Sequence, residues 1–323
     1  MIIPEKLKAA DEIRVISPSS SIERTGGIEA NKAAEETLQR MGFKVSFGQH
    51  ILENDVLGSA AIESRVDDIH QAFLDENVKG ILTSIGGFNC NELLPHLDYD
   101  LIKRNPKILC GYSDITALSN AIYTRTGLVT YSGPHYTSFK MKMLQDYQME
   151  SFKDILMNKG EHLLTASAFW SNDPWFLPNY SPNILTGKWQ VYSEGVATGI
   201  SIGGNIGTFN LLQGTIYQPM EENVIGFVEL EEEADFRDFT RELASFLQVH
   251  SQPKALLIGR FPQETGVTEE RLLTVLNKYP ILSNIPVIYD MDFGHTQPIF
   301  TFPIGQVITV DTFNKQLIFS DEQ

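Results

Sequence analysis

The chain has 323 residues, a hydrophobic fraction of 42% and a formal net charge of −16; at that length two domains, or one large domain with a satellite, is the ordinary expectation. No apolar run reaches the ~18 residues needed to cross a bilayer, and a surface this acidic, without a Lys/Arg stripe, repels phosphate backbones, which excludes nucleic-acid binding through a basic patch. A small molecule is the expected partner, and Met1 to Lys6, without a basic segment followed by an apolar stretch and a small-residue cleavage site, predicts a cytoplasmic protein.

Short strands alternate with amphipathic helices along the first half. Strands are predicted at Glu12 to Ser17, Lys44 to Phe47, Lys79 to Ile85 and Lys107 to Cys110, and helices at Ile28 to Met41, Ser64 to Asn77 and Ile115 to Thr126. In the second helix Val66, Ile69, Phe73 and Leu74 share a face, the pattern of a crossover packed on a sheet. The alternation predicts a parallel, Rossmann-like α/β sheet that binds ligands outside the carboxyl ends of its strands. Two loops sit at such ends, Gly86-Gly87 and Gly111-Tyr112-Ser113-Asp114. No Gly-x-Gly-x-x-Gly follows the first strand, where Ser17-Pro18-Ser19-Ser20-Ser21 stands instead, which argues against a dinucleotide-binding enzyme. Cys90 and Cys110 are too few for a disulfide framework and are predicted to be reduced, and their spacing suggests no metal site.

Periodicity dissolves from about residue 161 to 187, a stretch that carries Trp170 and Trp175. A connection of this length predicts a domain junction that partly covers a site, and divides the chain into an N-terminal domain (1–160), a linker (161–187) and a C-terminal domain (188–323). The tryptophans either anchor the linker by burial or offer a flat surface to a planar ligand group. The second half predicts a strand from Gly195 to Ile202, the turn Gly203-Gly204-Asn205 and a helix over Thr208 to Leu212. Strands follow at Val224 to Glu229, Ala255 to Ile258 and Val287 to Tyr289, with helices at Phe236 to Leu247 and Thr268 to Asn277 and a β-rich end from Pro298 to Phe319.

Ser113 stands where an apolar strand gives way to a helix. A sharp strand-to-helix turn lifts a hydroxyl clear of the sheet, and the helix amides behind it stabilise developing negative charge. Ser-Asp at that position also suits an ordinary helix cap. A serine nucleophile needs a base, and the base needs a third group to fix its tautomer. Of seven histidines, His295 is framed by a glycine turn after an apolar strand and His135, in Gly-Pro-His, is its competitor. His50, His70, His96, His162 and His250 are more simply surface residues. Asp290 and Asp292 beside His295 have no partner cluster for a metal.

Ser84 to Pro95, Gly111 to Thr116, Gly203-Gly204-Asn205 and Asp292 to Pro298 resemble, in order, the LD-carboxypeptidase family of serine peptidases. Gly-Gly-x-Asn-x-Asn and Asp-Phe-Gly-His look more like its microcin C self-immunity branch than its muropeptide-trimming branch. The resemblance implies Ser113 as nucleophile, His295 as general base and acid, Glu229 as its orienting acid, and an oxyanion hole from the N–H groups of Gly87 and Asp114. It implies Gly86, Asn205 and Trp175 as substrate contacts, a homodimer, and no metal or organic cofactor. The substrate implied is a peptidyl- or aminoacyl-nucleotide; the alternatives are a muropeptide losing a terminal D-amino acid, or a non-catalytic small-ligand-binding protein. The family often places a second acid directly after its triad glutamate, whereas this chain has Leu230 and then Glu231. Since side chains alternate along a strand, Glu231 shares a face with Glu229 and is the alternative triad acid.

Overall fold

The structure is a computed structural model that describes residues 1–174 and 183–321. Strands β1 (Glu12–Ile16), β2 (Lys44–Phe47), β3 (Val78–Thr83), β4 (Ile108–Cys110) and β5 (Thr130–Ser132) alternate with helices α1 (Gly27–Ala30), α2 (Lys32–Arg40), α3 (Ile62–Leu74), α4 (Tyr99–Arg104) and α5 (Ile115–Thr126). These five strands are parallel and lie in the order β5-β4-β3-β1-β2. Such pairing follows from the sequence, because β4 is a fully buried apolar run, β3 is buried except at Lys79, and β1 buries Ile13, Val15 and Ile16.

After helix α6 (Gln145–Met157) come β6 (Glu161–Leu164), the short pair β7 (Phe169–Trp170) and β8 (Leu185–Thr186), and β9 (Gln190–Ser193). The remaining elements are β10 (Val196–Asn205), α7 (Ile206–Asn210), β11 (Val224–Glu229), α8 (Phe236–Val249), β12 (Ala255–Gly259), α9 (Glu269–Leu276), β13 (Val287–Met291), β14 (Phe302–Ile304), β15 (Val307–Asp311) and β16 (Gln316–Ser320). The second sheet runs β6-β16-β15-β10-β11-β12-β13-β9, parallel from β10 to β13 and antiparallel outside them. The fold is therefore α/β, a parallel-strand first sheet followed by a strand-rich second half.

Sheet membership does not follow one cut in the chain. Within the stretch expected to be a linker, β6 joins the second sheet, and β14 returns to pair antiparallel with β5 in the first. Apolar side chains of both halves share a core: Leu118, Ala121 and Ile122 of α5 belong with Ile202, Ile206 and Val228 of the second half.

Several predicted elements change at their edges. The single helix expected over Ile28 to Met41 is broken at Asn31, a fully buried residue whose Nδ2 donates to the Gly27 carbonyl at 2.7 Å and whose Oδ1 accepts from Lys140 at 2.7 Å. Helix α3 begins two residues early and ends at Leu74, which is exposed rather than packed with Val66, Ile69 and Phe73. The glycines expected to turn after Ile202 instead continue β10. His162 is buried, not superficial, between Asp154 and Asp321 at 3.0 and 2.9 Å, and His250 is buried with Nε2 at 3.1 Å from Gln218. Cys90 and Cys110 are free and buried.

Candidate active site

Strand β4 ends at Cys110, and the chain turns through Gly111 to Asp114 into α5. Ser113 holds φ at +61°, a left-handed conformation that a side chain adopts only at a cost and that recurs where a residue is presented for chemistry. Asp114 fastens the turn. Its buried Oδ2 accepts from Ser19 Oγ at 2.5 Å and from the Cys90 amide at 2.8 Å, so one carboxylate ties together the loops after β1, β3 and β4.

The loop after β3 comes up beside the serine. A Cβ at Gly86 would lie 2.9 Å from Ser113 Oγ, so only glycine leaves the hydroxyl its room. Gly87 follows, and among the described residues no acceptor takes the N–H of Gly87 or of Asp114.

The second half supplies the groups that meet Ser113. Strand β11 ends in Glu229, and β13 leads through Asp292, Phe293 and Gly294 to His295. His295 Nε2 lies 3.0 Å from Ser113 Oγ, and its Nδ1 lies 2.7 Å from Glu229 Oε2. Serine, imidazole and carboxylate thus form one continuous chain of hydrogen bonds across the junction of the two sheets. Burial pushes the His295 pKa down, but the charge and hydrogen bond of Glu229, reinforced by Glu232 and Glu231, outweigh it and raise the value to about 9.

Glu231 does not reach the imidazole. The strand ends at Glu229, Leu230 is buried, and the Glu231 carboxylate instead accepts from Asn205 Nδ2. Asn205 stands opposite Glu229 in the β10–β11 register. Its Oδ1 caps α7 by accepting from the Thr208 amide at 3.0 Å, so both ends of its side-chain amide are engaged within the protein.

His135, the competing histidine, pairs its Nδ1 with Thr83 Oγ1 at 2.6 Å, and burial lowers its pKa to about 3, keeping it neutral. Asp292 is a structural acid: it takes Arg260 Nη1 at 2.9 Å, Trp189 Nε1 at 2.8 Å and the Ser167 amide at 2.9 Å. Trp170 stacks on the Arg260 guanidinium, 4.9 Å from its ring centre. Trp175 lies outside the described residues.

Tyr112 was not among the residues singled out in the sequence. Its ring stacks on His135 at 4.3 Å and stands edge-on to His295 at 5.4 Å, so it backs the imidazole directly. The only available signal was its place inside the Gly-Tyr-Ser-Asp turn. Thr116, on the first turn of α5, was also missed; its Oγ1 accepts from the Asn205 amide at 3.0 Å and couples the helix that follows Ser113 to β10.

Comparison with known proteins identifies the family. The sequence model of the LD-carboxypeptidase N-terminal domain matches residues 13–133, and that of the LD-carboxypeptidase C-terminal domain matches residues 198–310. YocD of Bacillus subtilis, named as a carboxypeptidase, is 44% identical over 96% of this chain and 96% of its own. The crystal structure of an MccF-like protein from Bacillus anthracis superposes with a TM-score of 0.95 at 42% identity, covering 99% of each chain. MccF, the microcin C7 self-immunity protein of Escherichia coli, is 32% identical over 89% of this chain and 87% of its own. An MccF structure in complex with glutamyl sulfamoyl guanosine covers 99% of this chain and 98% of that one, at a TM-score of 0.89 and 30% identity. The chain belongs to the LD-carboxypeptidase family and is a serine carboxypeptidase by that membership.

Proposed function

We propose that this member of the LD-carboxypeptidase family hydrolyses peptidyl- or aminoacyl-nucleotide conjugates, with Ser113, His295 and Glu229 as its triad. The observation that carries the reading is the unbroken Ser113–His295–Glu229 chain, at 3.0 and 2.7 Å. Ser113 attacks the acyl carbonyl while His295 Nε2 takes its proton, and Glu229 holds the imidazole in the required tautomer and stabilises its charged form. The N–H groups of Gly87 and Asp114 receive the oxyanion, free of competing acceptors. His295 returns the proton to the leaving group, and water activated by the same imidazole releases the acyl group from Ser113. Apart from that water, each step uses side chains and amides of this chain.

The substrate class is supported by similarity to MccF, whose structures carry aminoacyl sulfamoyl nucleosides. Gly86 and Trp175 are assigned to substrate contact, and the protein acts in the cytoplasm as a homodimer. The test is turnover by wild type and Ser113→Ala on an aspartyl- or glutamyl-nucleotide conjugate and on a muropeptide ending in D-alanine. Cleavage of the conjugate, lost by a factor of at least ~10³ in the variant, is the expected result. Cleavage of the muropeptide alone moves the enzyme to cell-wall peptides. Activity unchanged in Ser113→Ala removes the serine from the mechanism.

A further inference from the structure

The two amides assigned to the oxyanion belong to different loops, Gly87 after β3 and Asp114 after β4, so the distance between them has to be fixed by other groups. The Asp114 side chain does part of this, through Ser19 on the loop after β1 and the Cys90 amide on the loop after β3. Arg65 of α3 does the rest. Its side chain is 2% exposed, and Nη1 donates to the Pro18 carbonyl at 3.3 Å, to the Asn89 carbonyl at 3.3 Å and to Asn89 Oδ1 at 3.2 Å. Nη2 donates to Glu92 Oε2 at 2.8 Å, in the 3-10 helix Cys90–His96 that continues the same loop.

Cation and anion thus hold neighbouring residues on the same two loops. Arg65 takes the acceptors of Pro18 and Asn89, and Asp114 takes the donors of Ser19 and Cys90. On the other side of Gly87, the Ser20 amide donates to the Gly86 carbonyl at 3.1 Å, so Gly87 is anchored before and after. Burial pushes the Asp114 carboxyl up, while its hydrogen bonds and the Arg65 charge pull the other way. Among the described residues Arg65 forms no hydrogen bond with Ser113, His295 or Glu229, and its Nε has no partner. A buried ion contributes little net stability compared with an apolar side chain of similar volume. What this one supplies is the placement of a loop.

We propose that Arg65 is a positioning residue for the oxyanion hole: together with Asp114 it holds the Gly87 amide at the spacing from the Asp114 amide that a tetrahedral oxyanion requires. The inference rests on the proposed reading of those two amides as the hole. It adds to that reading a residue from a helix that contributes nothing to the triad.

The experiment measures kcat and KM of the full chain on the compound that wild type cleaves, the aspartyl-nucleotide conjugate or the muropeptide, and on the same compound with sulfur in place of the scissile carbonyl oxygen. Wild type prefers oxygen, because its donors are set for an oxyanion and sulfur is a larger, weaker acceptor. In Arg65→Met, kcat on the oxygen compound falls at least about tenfold with KM within about twofold, and the preference for oxygen shrinks by a similar factor. Arg65→Lys keeps the charge beside Asp114 but lacks the fork that spans both loops; it shows the same pattern and stands in if Arg65→Met fails to fold. Thermal melts confirm folding. Hydrogen exchange gives a reading that needs no substrate: the Cys90 amide, bonded to Asp114, exchanges at least about tenfold faster in either variant, while the amides of β11 keep their wild-type rates. Equal loss on the oxygen and sulfur compounds, a rise in KM alone, wild-type kinetics or an unchanged Cys90 amide overturns the proposal. Turnover that persists in Ser113→Ala instead defeats the serine reading, so the two failures are separable.

Discussion

His295 is pulled in opposite directions by burial, which favours the neutral ring, and by Glu229, which favours the charged one. Because the raised value is about 9, the free enzyme at neutral pH holds most of its imidazole protonated and unable to act as base. Activity therefore rises with pH through the alkaline limb, with an inflection well above the ordinary histidine value of ~6.5. In Glu229→Gln the largest raising influence is gone and burial remains, so the inflection falls by about a unit or more while kcat drops. A pH profile of kcat/KM for both proteins checks this, and coincident inflections would remove Glu229 from the ring's electrostatics. At this scale the sequence was most legible where chemistry demands a residue type: a serine after a strand, a histidine after a glycine turn, a glutamate at a strand's end. It was silent on Tyr112 and on what Asn205 holds, because a stacking partner or the second end of a bonded amide is fixed by elements distant in the chain.

Element ends carry the site, and glycines set how closely those elements approach. Gly204 is the clearest instance, with φ at +133° and a would-be Cβ 2.2 Å from Thr116 Oγ1. Gly-Gly-Asn resembles a turn in sequence, yet here it extends β10 against the first turn of α5, directly behind Ser113. The local string contains the glycines but not the helix that requires them, which is why the strand was predicted to stop at Ile202. In Gly204→Ala the new methyl group must displace Thr116 or bend β10 away from α5, in addition to occupying a disfavoured backbone conformation. The variant loses about 2–3 kcal/mol by urea unfolding, and kcat falls because the serine's helix and the glutamate's sheet no longer share a fixed spacing. Wild-type stability and turnover in that variant would show that the contact relaxes without consequence. The alternation of β1 to β4 with their helices, by contrast, was readable because β3 and β4 are short, largely buried runs and the crossover α3 buries Val66, Ile69 and Phe73 on one face.

The whole molecule places His295 between two sheets. Strand β13 belongs to the second sheet and β14 to the first, so the segment joining them, which carries the imidazole, is anchored at both ends in different layers. No local pattern announces such a crossing, since β14 is three residues long and contains Pro303. Phe302 is the packing centre of the crossing: it is 1% exposed, and its ring lies 4.4 Å from Phe227 of β11, 5.3 Å from Phe300 and 5.6 Å from Phe293. Those contacts connect the strand that delivers Glu229, the segment that delivers His295 and the sheet that delivers Ser113. Phe302→Ala removes them together and costs about 3–5 kcal/mol, read as a shift in the urea midpoint. A purely local cavity would leave catalysis untouched in the folded fraction. A clamp between sheets instead loosens the Ser113–His295 distance, so kcat falls at least about tenfold under conditions where the variant is still fully folded. Phe302→Leu, which keeps most of the buried volume, recovers both stability and kcat in large part. Loss of stability in Phe302→Ala with kcat intact would mean that the triad is held by its own hydrogen bonds and not by the packing between the two sheets.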